Sequence, residues 1–362
     1  MTPVPEHTMR QGIRAAPAVR RFAAPAGGPA ALLGRGVRAM ASPRLTLAAM
    51  MLLAAGIVRA HAAGAGTTWP LVLPLALVSV NLAAAMATHP AFRRSAALLW
   101  FHVALLAIVG LVALGRLTYL TGHLELAAGE RFEGRLTGYT AGPWHPWGIT
   151  AVRFANAGFT IDYLPGRMRD RTEHRVRYED GAGRLRDVII GDQVPLVLGG
   201  YRFYTTHNKG FALTFFWRPH HGAPQRGTVH LPAYPLHEYR QANTWTPPGS
   251  ARELWVQLRF DEPLLAPAGP ARFRTPGSHL VVVRAGERRA ELGPGMRLAL
   301  DDGLLTYEGV RTWMGYKVFY DPTTPWLLAA CGVAVASLGW HLWRQSAARP
   351  WLTPATTPEE NA

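Results

Sequence analysis

The chain has 362 residues, with 38 Lys+Arg against 23 Asp+Glu, a formal net charge of +15 and one cysteine. Cys331 alone excludes an intramolecular disulfide, a Cys-based zinc site and a CxxC redox pair. The charge is unevenly placed, with seven Arg and one Glu in residues 1–44 and several later stretches carrying none, so a uniform soluble globule is excluded.

Residues 1–43 read as a basic extension, and the abundance of Arg and Ala there is a compositional bias more than a binding signal. Three apolar runs follow within residues 44–118. The first is Leu45 to Val58, the second Trp69 to Ala87, the third Ala96 to Gly115. A fourth, Trp326 to Trp343, lies within residues 324–345, and residues 346–362 form a tail. A bilayer core about 30 Å thick needs roughly 20 apolar residues of helix. The last three runs meet that. The first is uncharged for only 14 residues, and with Ala60-His61-Ala62 behind it two readings stay open: a retained helix or a cleaved signal segment.

Orientation follows the short basic flanks. The Arg-rich start, Arg93 with Arg94, and Arg344 with Arg349 all favour the cytoplasm, which four crossings satisfy. Residues 119–323 then lie outside. Trp69, Trp326, Trp340 and Trp343 stand near run ends, where indoles prefer the headgroup layer.

Residues 119–323 predict a β-rich domain, sandwich- or barrel-like. Alternating or β-branched runs recur at Ile149–Phe154, Phe159–Tyr163, His174–Tyr178, Asp187–Ile190, Tyr201–Thr205, Phe211–Trp217, Glu253–Phe260, His279–Arg284 and Val310–Tyr320. Pro224 to Pro248 reads as a loop or lobe boundary. The segment holds 25 Lys+Arg and 20 Asp+Glu without a dense cluster, so it gives a solvated surface and no nucleic-acid groove.

His102 is the sharpest chemical feature. It lies six positions beyond Ala96, about 9 Å inside the third run at helical rise. An ionisable group at that depth is a functional hypothesis by default, and imidazole is a strong axial ligand for haem iron. The alternative is a histidine bonded to a neighbouring helix. One His cannot fill both axial positions, so a ligand role requires a second group from another helix or chain. His61, His89 and His341 read as interfacial, and His220-His221 as solvent-exposed. Trp144, His145 and Trp147 place an imidazole between two indoles, a platform for a flat ligand or a rest for lipid headgroups. Asp261-Glu262 and Asp301-Asp302 read as surface charge. GxSxG, HExxH, GxGxxG and GxxxxGK[ST] are all missing, which leaves a hydrolase or transferase in the external segment without a motif.

The order of three helices, a long external β domain and a closing helix resembles the ResB (CcsB) family of system II cytochrome c biogenesis proteins. Leu99-Trp100-Phe101-His102 resembles the family's third helix. Asn156 to Tyr163, Val194-Pro195-Leu196 and Tyr201-Arg202-Phe203-Tyr204 resemble its external domain, and Tyr316 to Trp326 the stretch feeding its last helix. The likeness covers residues 44 to 345. It implies a multi-pass protein of the bacterial inner membrane, with its large domain periplasmic. It further implies a CcsA/ResC-like membrane partner, haem as a transient cofactor shared with that partner, and apocytochrome c as recipient. His102 would then be one axial haem ligand and the partner would supply the other. The chain itself would be an accessory subunit of a haem-exporting synthase. From a different class, a membrane-anchored β domain that binds partners without haem fits the same topology.

Overall fold

The computed structural model describes residues 29–63, 67–191, 193–265 and 269–347. It contains six helices among these residues: α1 Pro29–Met40, α2 Pro43–Ala63, α3 Trp69–Thr88, α4 Ala91–Arg94, α5 Ala96–Thr118 and α6 Thr324–Ala347. Four of them, α2, α3, α5 and α6, are long and apolar enough to cross a membrane. Most of their surface is exposed within the chain, so their apolar faces demand an apolar surrounding. The first run, uncharged for 14 residues, extends to 21 residues of helix because the backbone continues through Arg59. Long Arg side chains near helix ends reach to the interface and make such extension tolerable.

The helices pack in series, α2 on α3, α3 on α5, and α5 on α6. Small residues set the approach. At Gly56 the Pro70 carbonyl occupies the place of any Cβ, so only glycine lets α2 meet the start of α3. At Gly115 a Cβ would stand 2.9 Å from Thr323 Oγ1, which locks the end of α5 to the start of α6. Helix α1 was not expected in the basic extension; it packs on α3. The remainder of that extension and the tail beyond residue 347, with Arg349, lie outside the described residues.

Among the described residues, sixteen strands occupy the span 120–320. They are β1 Leu120–Ala127, β2 Arg131–Phe132, β3 Gly138–Ala141, β4 Phe154–Tyr163, β5 Arg169–Glu179, β6 Leu185–Ile190, β7 Leu196–Leu198 and β8 Tyr201–Pro219. Then come β9 Gln225–His230, β10 Ala242–Trp245, β11 Leu254–Arg259, β12 Ala271–Arg272, β13 Leu280–Ala285, β14 Arg288–Leu292, β15 Arg297–Leu300 and β16 Gly303–Tyr320. They form three antiparallel sheets of seven, four and five strands. None of the three closes into a barrel among the described residues. One apolar core spans all three, drawing Leu124 from β1, Ile161 from β4, Phe215 from β8, Val256 from β11 and Tyr316 from β16. Replacing a buried Phe of this kind by Ala costs about 3–5 kcal/mol.

Three sequence expectations need correction. Ile149–Phe154 is not a strand: Gly148–Ala151 forms a 3-10 turn and β4 begins at Phe154. Tyr201–Thr205 and Phe211–Trp217 are one strand, β8, paired along β16 with a register shift between Met314 and Tyr316. The polar interval between them resembles a turn, but Thr206 Oγ1 donates to Gly315 O at 3.0 Å and carries the pairing across the bulge. Pro224 to Pro248 is not a plain loop, since it contains β9 and β10, but it does carry the chain from the seven-stranded to the four-stranded sheet, as the boundary reading has it.

The membrane connections are short. Only Tyr119 separates α5 from β1, and only residues 321–323 separate β16 from α6. β1 and β16 pair from Leu120 opposite Tyr320 onward.

Candidate functional site

The end of the helix bundle remote from the β domain holds an open cleft of about 760 Å³. It forms where the α1–α2 corner, the end of α3 and the start of α5 meet, and its wall includes Arg38, Thr46, Asn81, His89, Phe92 and His102. Its volume falls within the usual range for small-molecule pockets, about 300–1,000 Å³.

Asn81 builds one side. Its Nδ2 donates to Met40 O at 2.6 Å and Ser42 O at 3.1 Å, and its Oδ1 accepts from Thr46 Oγ1 at 2.6 Å. A buried amide in an apolar helix is costly unless satisfied, and here it fixes the α1–α2 corner. The short α4 builds the other side. Ser95 caps α5, its Oγ accepting from Leu98 N–H at 3.3 Å, and this cap places the first two turns of α5 against Phe92.

His102 projects from those turns. Its Nδ1 lies 2.8 Å from Leu98 O, one turn back along α5. A neutral ring bonded this way carries its proton on Nδ1 and presents Nε2 as a lone pair. Nε2 has no hydrogen-bond partner among the described residues. Phe92 and Phe101 meet the ring edge-on, with centroids 4.8 and 5.2 Å away, and hold its plane.

His89 lines the same cleft in the opposite chemical sense. Its Nδ1 accepts from Ala91 N–H at 3.3 Å, so the neutral ring carries its proton on Nε2 and acts as a donor. The cleft therefore joins one nitrogen lone pair, apolar walls, an imidazole donor and the Arg38 cation. Such a set suits a flat apolar group bearing a Lewis-acidic metal and anionic substituents. His89 was expected only at the interface and Asn81, Phe92 and Arg38 were not singled out. Asn81 alone carried a usable signal, as an amide within an apolar run.

The Trp144, His145 and Trp147 group stands elsewhere. It sits beside the other end of α5, 16 residues and about 24 Å along the helix from His102. His145 is 4 % exposed; its Nδ1–H donates to Thr118 O at 2.8 Å and its Nε2 accepts from Tyr201 Oη at 2.8 Å. Both nitrogens are used within the chain. Trp147 meets the imidazole at 88°, so the rings do not make the flat platform that was one of the two readings of their spacing. Trp144 and Trp147 are exposed, as are His220 and His221. Asp301 pairs with Arg252 and Arg288, and Glu262 with Arg274.

Two imidazoles of the β domain, one buried and one half-buried, were not anticipated. His174 lies fully buried with Nε2 2.9 Å from Asn156 Oδ1 and 3.1 Å from Tyr316 Oη; burial, assisted by the Lys209 charge, pushes it down to about 3. His230 donates from Nδ1 to Glu125 Oε2 at 2.6 Å and stacks on Trp313 at 4.8 Å. That hydrogen bond holds the Glu125 carboxyl below its ordinary range. No group of three or more His, Cys, Asp or Glu side chains is arranged to hold a metal ion among the described residues. No family model matches the chain, and no curated protein matches it.

Proposed function

We propose that the chain is a membrane subunit of a cytochrome c maturation complex that handles haem on its way to apocytochrome c. The observation that carries this reading is His102 Nε2, a lone pair held at fixed orientation in an apolar, aromatic-edged cleft. Haem is the cargo. His102 supplies one axial nitrogen, the Leu98 carbonyl sets its tautomer and raises its basicity, and Arg38 with His89 provides donors for the propionates. A CcsA/ResC-like partner supplies the second axial group. The basic flanks Arg38, Arg44, Arg93, Arg94 and Arg344 gather at the cleft end, which supports a cytoplasmic cleft and a periplasmic β domain in a bacterial inner membrane. The likeness of residues 44 to 345 to the ResB pattern supports the same reading.

The test is co-expression with the partner, followed by haem staining of holocytochrome c. His102→Ala at normal chain levels should abolish the stain, and added imidazole should restore part of it. Full holocytochrome levels in His102→Ala would overturn the ligand role. A purified complex without a Soret band would favour the anchored β-domain scaffold instead.

A further inference from the structure

Two recesses of 350 and 390 Å³ open side by side where the three sheets of the β domain meet. The β4–β5 turn, the middle of β8 and the end of β11 converge there, and Arg167 and Tyr234 belong to both walls. The first recess is rich in donors. Arg167, Arg169, Lys209 and His207 line it with Tyr163 and Tyr234, and among the described residues of either wall there is no carboxylate. Arg169 Nη1 donates to His207 Nδ1 at 3.5 Å, which leaves the neutral ring's proton on Nε2 as a further donor. Neither the Tyr163 nor the Tyr234 hydroxyl has a hydrogen-bond partner among the described residues. Burial pushes both phenols up to about 12, so each keeps its proton at neutral pH.

The second recess is mainly apolar, floored by Leu258, Phe260, Leu264 and Leu265. Its one further cation, Arg259, is already paired with Glu291 at 3.0 Å. The seat for an anion is therefore at the shared wall. There Arg167 is fixed by Tyr239, through a 3.0 Å hydrogen bond to Oη and by lying 5.3 Å from the ring centroid. Tyr239 reaches it from an unusual turn. His237, Glu238 and Tyr239 take φ of 56°, 56° and 59°, three successive L residues in the left-handed region. Strain of this kind persists where its surroundings demand it, and here its product is a positioned guanidinium beside two unpartnered hydroxyls.

We propose that the paired recesses bind an amphipathic monocarboxylate. Arg167 and the Tyr163 and Tyr234 hydroxyls hold the carboxylate, and the apolar part lies on Leu258, Leu264 and Leu265. A planar carboxylate matches the guanidinium fork, and the apolar floor distinguishes such a ligand from inorganic phosphate. The site is independent of the haem reading.

The experiment titrates hexanoate, hexylammonium and hexanol into the full chain in lipid nanodiscs by calorimetry, with empty nanodiscs subtracted. Hexanoate should bind saturably and at least about tenfold more tightly than the other two. Arg167→Gln, at an exposed turn, should weaken it about tenfold and Tyr234→Phe severalfold, while His102→Ala should leave it unchanged. Absence of saturable binding, equal binding of hexylammonium or hexanol, or indifference to Arg167→Gln would overturn the proposal.

Discussion

Tyr201 donates its hydroxyl proton to Nε2 of His145 at 2.8 Å, and the same imidazole holds the last turn of α5 through Thr118 O. Tyr320, at the end of β16, closes over the ring with centroids 4.9 Å apart. One side chain thus ties a membrane helix to two strands. His145→Ala would take a donor from the half-buried Thr118 carbonyl and an acceptor from the buried Tyr201 hydroxyl and open a void, costing about 2–4 kcal/mol. Tyr201→Phe should cost about 1 kcal/mol, and the double variant should fall short of the sum. Denaturant unfolding followed by tryptophan fluorescence measures all three.

Gly115 and Gly110 offer a matched pair on α5. A Cβ at Gly115 meets Thr323 Oγ1 at 2.9 Å and Asp321 Oδ1 at 3.4 Å, whereas one at Gly110 meets nothing within 4 Å. Gly115→Val should therefore destabilise the chain by about 1–3 kcal/mol and Gly110→Val should be near neutral. Thermal midpoints of the purified variants in one detergent decide the comparison.

His174 makes the β domain sensitive to acid. Its folded value of about 3 lies below the ordinary 6.5, so the unfolded chain takes up a proton as pH falls below 6.5 while the folded chain does not. Stability is unaffected above that value and declines from about pH 6.5 toward 3. Between pH 6.5 and 4.5 the loss amounts to about 2–3 kcal/mol. His174→Gln should flatten this part of the profile, read from urea midpoints at successive pH values.

Glu125 acts in the usual carboxylate direction. Its folded value is lowered by the His230 hydrogen bond, so its contribution is present above the ordinary value of 4.5 and is lost as pH falls further. The side chain is 38 % exposed, so solvent screening limits the contribution to under about 1 kcal/mol. Glu125→Gln should lower stability by that amount at pH 7 and match the parent chain once pH has fallen through the lowered folded value, read from urea midpoints.

Much of the fold was legible in residue patterns. Runs near twenty apolar residues mark α3, α5 and α6 because length and hydrophobicity alone decide them. The alternating strand β11 and the β-branched run of β13 were legible in the same way. What escaped depends on partners distant in sequence. β8 reads as two strands because its polar middle is stabilised by Gly315, more than a hundred residues later. β1 follows α5 without turn residues to mark its start. Of the candidate site, His102 was visible as an imidazole in an apolar run. Arg38 and His89 were not, because only the packing of α1, α3 and α4 brings them to the same cleft. The Trp144, His145 and Trp147 spacing left a ligand platform and a rest for lipid headgroups both open, and spacing carries no information about the Thr118 carbonyl that consumes the ring.

The near-absence of linker between α5 and β1, and between β16 and α6, has a mechanical consequence. Helix pair and strand pair form one continuous two-rail beam, with no slack to absorb torque at the membrane boundary. Any twist of the two spans against each other must reappear as shear along the central sheet, so events at one end are geared to the other.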